Sequence, residues 1–169
     1  IDLIHNQVFL RQTMRDSSQW EPTSYRTHTI GQIVSEGASL VGEEVSVAGY
    51  AETIRGRGAI CFIMLRDGTG HIQAFLKKDN MNPEIFDLIQ SSTRESTVQV
   101  TGLVAQKRPP KVAEGEPMPS PEYEINVTSG EILAEAATPL PVGIIDDVKI
   151  GLDIRLDNRH LDLRRSHVN

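Results

Sequence analysis

The stretch AICFIMLRDGTGHIQAFLK, residues 59 to 77, constrains the fold more than any other part of the chain. Cys61, Ile63 and Leu65 alternate with Phe62, Met64 and Arg66. After Asp67-Gly68-Thr69-Gly70 the alternation resumes, with Ile72, Ala74 and Leu76 set against His71, Gln73, Phe75 and Lys77. A period of two marks a strand with two different faces, and a short glycine-containing turn joins antiparallel neighbours. The pattern predicts a hairpin over 59–67 and 71–77. One set is wholly apolar, while the other carries the aromatic, cationic and amide groups.

The remaining elements follow by the same reading. EVSVAGYAETIR (44–55) alternates Val45, Val47, Gly49 and Ala51 with Ser46, Ala48 and Tyr50 and ends at the turn Gly56-Arg57-Gly58, which predicts a strand before the hairpin. From Thr29, IGQIVSEGASLVGEE spaces Ile30, Ile33, Val34 and Leu40 for a short helix, expected to close at Gly37 with a turn at Gly42. NPEIFDLIQSS (82–92) predicts a second helix, with Asn82 as N-cap and Pro83 in the first turn. STVQVTGLVAQ (96–106) and EYEINVTSGEIL (122–133) supply two more strands across the proline-rich loop 107–121. The order β-β-β-α-β-β is that of an OB-fold: an all-β protein with short helices, built as a five-stranded Greek-key barrel. We expect an N-terminal helical or irregular arm over 1–28, the barrel over 29–135, a hinge over 136–155 with Pro139 and Pro141, and the start of a second domain over 156–169. OB barrels bind oligonucleotides, oligosaccharides and proteins, so the fold alone leaves the ligand open.

Composition narrows the classes. The chain has 169 residues, 38% hydrophobic and 24% charged, enough for one compact domain with flanking arms. No apolar run reaches the roughly 18 residues of a membrane span, and Asp2, Arg11, Arg15 and Asp16 stand where a secretory signal would be apolar. The expectation is a cytoplasmic protein without a membrane partner; Ile1 in place of Met suggests a trimmed or disordered N-terminus. Cys61 is the single cysteine, which excludes an internal disulfide and a multi-cysteine zinc site. His5, His28, His71, His160 and His167 share no metal spacing, Cys61 has no basic partner nearby, and no phosphate-binding GxxxxGK[ST] occurs. We therefore expect neither metal, cofactor nor catalytic residues in these 169 residues.

The net charge of −6 speaks against a polyanionic partner, but its distribution does not. Residues 52–78 carry a local net of +3, from Arg55, Arg57, Arg66, Lys77 and Lys78 against Glu52 and Asp67, whereas residues 112–154 carry −8. If Phe62, Met64 and Phe75 face outward with Arg66, His71, Gln73 and Lys77, the surface can stack and hydrogen-bond an unpaired base. The alternative for Phe62 is a second small core beneath the 82–92 helix or the N-terminal arm. For Gln73 it is an ordinary solvated strand position. Arg55 suits a phosphate or a guanine edge. Arg57 is either a phosphate contact or a solvated turn residue. Lys107, Arg108 and Lys111 are either backbone contacts or a mobile charged loop.

Taken together and in this order, CFIMLRDGTGHIQAF (61–75) and LDNRHLDLRR (156–165) resemble class II aminoacyl-tRNA synthetases of the aspartate/asparagine/lysine subgroup, over roughly residues 28 to 165. The resemblance implies an anticodon-binding OB barrel plugged by a short helix at one end, followed by a catalytic domain that LDNRHLDLRR opens. In that family the pattern F-x-x-L-R-D/Q-x-x-x-x-x-Q places an aromatic ring on the central anticodon uridine and an amide at its edge. Those positions fall on Phe62 and Gln73. Arg55 matches an arginine near the first anticodon bases, and Glu124 an acidic residue that accepts hydrogen bonds from the first base, a guanine. Arg159, Asp162, Arg164 and Arg165 would be structural, near a dimer interface. The implied partner is a tRNA anticodon loop. ATP and Mg would belong to a catalytic domain beyond Asn169, in a cytoplasmic homodimer, and these residues alone would be inactive. The aspartate branch is matched best. The alternatives are the asparagine branch, a general single-strand-binding OB module, or an inactive paralogue serving as an interaction protein.

Overall fold

The computed structural model describes residues 23–108, 122–144 and 149–165; the expectations for the arm before residue 23 and for Lys111 lie outside them. The elements are α1 (Ile30–Leu40), β1 (Glu44–Arg57), β2 (Ile60–Arg66), β3 (His71–Lys77), a 3₁₀ turn at Lys78–Asn80, α2 (Pro83–Ser91), β4 (Thr97–Gln106), β5 (Tyr123–Ala134), α3 (Leu152–Asp157) and α4 (Arg159–Asp162). The strands close into a barrel in the order β1-β2-β3-β5-β4. All pairs are antiparallel except β3 with β5, the parallel pair that closes a Greek key. This is the five-stranded OB barrel with short helices that the element order predicts.

The period-two pattern sorts the hairpin as expected. Cys61, Ile63, Leu65, Ala74 and Leu76 are fully buried, and they form the core with Val45, Val47, Val98, Val100 and Ile125. Helix α1 covers one end with Ile30 and Ile33, and α2 contributes Phe86 and Ile89 to the same core. The α2 cap is as predicted: Asn82 Oδ1 accepts from the Glu84 and Ile85 amides, with Pro83 at the first position.

Two local features depart from the sequence reading. Helix α1 does not close at Gly37 but runs on to Leu40. Gly37 is buried, and a Cβ there would collide with the Tyr123 ring, so the glycine serves close packing rather than termination. The Asp67-to-Gly70 turn does more than join strands. Its side chains supply acceptors to the open first turn of α1: Asp67 Oδ2 accepts from the Ile30 amide (3.0 Å) and Thr69 Oγ1 from the Gly31 amide (2.7 Å). Thr29 and Gln32 complete that end as a reciprocal capping box.

Strand β1 carries a bulge. Ala51 pairs with Leu65, and the next pair is Thr53 with Met64, which leaves Glu52 as the extra residue. The consequence is a change of face: Val45, Val47 and Ala51 point into the core, whereas Arg55 pairs with outward-facing Phe62 and Arg57 with Ile60. The bulge is held by the turn before β4. The Ala51 amide donates to Ser96 O, the Glu95 amide to Ala51 O (both 2.8 Å), and Arg94 Nε to Glu52 O (2.9 Å). Glu95 adopts a left-handed backbone (φ 67°), and its carboxylate is buried against Arg66 at 3.0 Å.

The chain divides into two compact units after Glu135. Within the second, Val142, Ile144 and Leu161 pack together with Ile150, so part of the segment read as a hinge contributes apolar contacts and α3 begins at Leu152. The polar centre of this unit is Asp162, fully buried, with Arg155 Nε at 2.9 Å, Arg159 Nη1 at 2.6 Å and Arg165 Nη1 at 3.6 Å.

Candidate nucleic-acid interface

Strand register brings Arg55, Phe62, Met64, Gln73, Phe75 and Glu124 together in two adjacent rows on the outside of the barrel, and leaves Arg57 and Arg66 out of both. One row is Arg55 on β1, Phe62 on β2, Phe75 on β3 and Asn126 on β5. The next is Thr53, Met64, Gln73 and Glu124 on the same four strands. Phe62 is 40% exposed, with its ring 5.2 Å from that of Phe75. Among the described residues no second core covers it, because α2 sends Phe86 and Ile89 into the barrel instead; the N-terminal arm, the other cover considered, lies outside the described residues. Beside the Phe62 ring lies a hollow of about 190 Å³ walled by Thr53, Arg55, Met64 and Gln73. Its lining combines the apolar Phe62, Ile63 and Met64 with the polar Thr53, Arg55 and Gln73, which suits a flat aromatic ligand with a hydrogen-bonding edge.

Gln73 Nε2 donates to Glu124 Oε2 at 2.7 Å across the parallel β3–β5 pair, and both side chains are half-buried. A second hollow of about 240 Å³ opens on the other side of Gln73 and Met64, toward Val34, His71 and Tyr123. The Lys107–Glu122 ion pair (2.8 Å) borders it. Residue Arg108 is exposed.

The cations of this region have different fates. Arg55 and Arg57 are exposed and form no ion pair among the described residues. Arg66, expected on the binding face, is only 16% exposed. Its Nη2 donates to both carboxylate oxygens of Glu95, and the guanidinium lies 5.6 Å from the Tyr50 ring centroid. Lys77 and Lys78 lie beside Asp79 and Asp87, and His71 is 3.4 Å from Glu52. Exposed pairs such as these contribute about 1 kcal/mol at most and open readily to a phosphate. Burial pushes the Cys61 thiol up to about 11, so it stays protonated and inert beneath the face. Among the described residues no cluster of His, Cys, Asp and Glu could hold a metal ion, and no helix is long and apolar enough to cross a membrane.

The sequence reading missed Thr53, Asn126 and Tyr123. Thr53 was hidden by the bulge, since unbroken alternation from Val45 would turn it inward. Asn126 and Tyr123 required the β3–β5 pairing, which is non-local and leaves no local signal.

Comparison with known proteins adds the decisive observation. Residues 45–133 match the tRNA anti-codon family, described as an OB-fold nucleic acid binding domain. The chain belongs to this family. As an anticodon-type OB domain, it is 41% identical over 127 residues to an aspartate–tRNA(Asp/Asn) ligase of Haloquadratum walsbyi, covering 75% of this chain and 27% of that relative. It is 38% identical over 144 residues to the aspartate–tRNA(Asp) ligase of Thermococcus kodakarensis, covering 85% and 30%. Among solved structures, the aspartyl tRNA synthetase from Entamoeba histolytica aligns with a TM-score of 0.64 at 27% identity, covering 77% of this chain and 31% of that one. The asparaginyl-tRNA synthetase from Pyrococcus horikoshii aligns with 0.63 at 27% identity, covering 80% and 29%. The chain thus spans less than a third of the length of these relatives.

Proposed function

We propose that the chain is the anticodon-reading module of an aspartate-tRNA ligase. The observation that carries this reading is the pair of rows around the hollow: an exposed ring at Phe62, a guanidinium at Arg55 with no ion pair among the described residues, and an amide–carboxylate pair at Gln73 and Glu124. Each does a separate job. Phe62 stacks on the central uridine, a contact available to any base and worth about 1–3 kcal/mol. Gln73 adds base identity through its edge. Glu124 has a second carboxylate oxygen to accept from the N1–H and N2–H₂ edge of a guanine in the preceding position; a carboxylate repels RNA unless it meets such donors. Arg55 and Arg57 meet phosphates. Arg66, held by Glu95, contributes less to RNA than the sequence suggested and more to the shape of β1.

The parent protein, in this reading, joins aspartate to tRNA using ATP and Mg in a catalytic domain following the C-terminal segment, as a cytoplasmic homodimer. The 169 residues alone should then give no ATP/pyrophosphate exchange with aspartate above blank; turnover would overturn the assignment of catalysis to a further domain. The likeness to an asparaginyl-tRNA synthetase keeps an asparagine ligase as the second reading. Aspartate and asparagine anticodons differ only in the third base, so stem-loops carrying GUC and GUU separate the two. We expect GUC to bind tighter by about 1–2 kcal/mol, the value of one read base edge. A preference for GUU would install the asparagine reading, and equal binding to unrelated sequences would reduce the domain to a general single-strand binder.

A further inference from the structure

The hydrogen bond between Gln73 and Glu124 does something beyond joining two strands. A glutamine amide carries a donor end and an acceptor end that differ only by a half-turn of the terminal group. Left free, it can present either order to a ligand. Uracil offers a donor at N3 flanked by carbonyl acceptors, whereas cytosine offers an acceptor at N3 and a donor at its amino group. A freely rotating glutamine meets the one by its carbonyl and the other by its NH₂, and so distinguishes them poorly.

Here the amide is not free. An ionised carboxylate only accepts, so the group facing Glu124 Oε2 at 2.7 Å must be the NH₂ of Gln73. The NH₂ keeps a second N–H, so the discrimination comes from a base held in one register by its stack on Phe62. With the Gln73 carbonyl facing position 3, uracil donates its N3–H, whereas cytosine presents a lone pair there and needs the half-turn. That turn would bring two oxygens face to face at that distance, in a half-buried position where the repulsion is poorly screened. The parallel register sets Gln73 directly opposite Glu124, and β5 is itself tied to β4 on its other side, so the carboxylate is carried on a backbone paired on both edges.

We infer that Glu124 is a specificity-determining positioning residue: it locks the Gln73 amide with its carbonyl free, so that the hollow beside Phe62 accepts a base with an N3–H donor, uracil, and rejects cytosine. The inference rests on the reading of Phe62 and Gln73 as base-binding residues, and it assigns Glu124 a role distinct from reading the preceding guanine. It adds a repulsive element to the attractive contacts of the site, which is how close analogues are commonly separated.

The experiment titrates the 169-residue chain and its variants with two stem-loops that differ only in the central base, GUC and GCC, at one salt concentration, with thermal melts as a fold control. The unaltered chain should prefer GUC by about tenfold or more. Glu124→Gln keeps the shape but can donate as well as accept, so Gln73 can turn. GCC binding should then rise, and the GUC/GCC ratio should fall by about fivefold or more. A weakened contact to the shared guanine would lower both affinities together and cancel in the ratio. If Glu124→Gln leaves the ratio unchanged while Gln73→Ala abolishes it, the lock is wrong and the site stands. If neither Gln73→Ala nor Phe62→Ala changes binding of either stem-loop, the base-reading site itself fails.

Discussion

Arg55 and Arg57 stand exposed on the barrel with no ion pair among the described residues, whereas Arg155, Arg159 and Arg165 converge on one buried carboxylate, that of Asp162. The residue type is the same, and the surroundings make the difference. A guanidinium already forked onto a buried carboxylate has its charge and donors satisfied and works as a structural brace. One left in solvent keeps both for a ligand, at the cost of adding to self-repulsion on its face. Arg66 belongs with the first set by sequence and with the second by structure: it lies on the same hairpin as Phe62 and Gln73, yet Glu95 has claimed it.

That contrast can be broken most forcefully at Asp162. The hydrogen bonds from Arg155, together with the charges of Arg155 and Arg159, hold its carboxyl below the usual range despite burial. Replacing it, Asp162→Asn, leaves the arginines around a neutral group, and we expect amide protection across 152–165 to collapse while the barrel keeps its own. Because the folded-state pKa is lowered, the stabilisation is complete above the unfolded value of about 3.9 and is lost as pH falls through the lower folded value. The gap between the parent chain and the Asn variant in hydrogen exchange should therefore close in that acid range and stay constant above it. Persistent protection in the variant at neutral pH would show that the apolar contacts of Val142, Ile144 and Leu161 suffice.

On the barrel, Phe62→Ala should weaken stem-loop binding by about 1–3 kcal/mol. Loss of its contact with Phe75 should lower stability by about 1 kcal/mol or less. A variant that unfolds instead would place the ring in a core. The smallest effect in affinity, and the sharpest as a comparison, comes from two arginines on neighbouring strands. Arg55→Ala should weaken binding to all sequences by about 1 kcal/mol and make the log–log salt slope shallower by about 1, with little loss of stability. Arg66→Ala should do the reverse, lowering stability by about 3 kcal/mol because the buried Glu95 carboxylate loses its guanidinium partner, with little change in slope. Equal slopes for Arg55→Ala and the parent chain would remove Arg55 from the phosphate contacts.

Much of this arrangement is written locally in the chain. The alternation from Cys61 to Lys77 separates core from surface because side chains on a strand alternate regardless of what they pack against. It therefore set Phe62, Gln73 and Arg66 on one face before any partner strand was known. Asn82-Pro83 and Gly42 also read correctly, since caps and turns depend on a few neighbouring residues. Gly37 misled for the opposite reason. A glycine inside a helix looks like a stop until the ring it accommodates, Tyr123, is brought there by a strand far along the chain.

What the tertiary structure alone decided is who faces whom. The bulge at Glu52 turns Arg55 and Arg57 outward, and it depends on backbone bonds from Ala51 to Glu95 and Ser96 that no pattern within β1 encodes. The pairing of Gln73 with Glu124 spans 51 positions, and that of Arg66 with Glu95 spans 29. A side chain's direction is a property of its own strand, whereas the neutralisation of its charge or the orientation of its amide needs a partner delivered by the closure of the barrel. The sequence by itself therefore determined the strands, their faces and the residues that share the outer face; only the folded barrel decided which arginine is held by a carboxylate and which end of Gln73 meets Glu124.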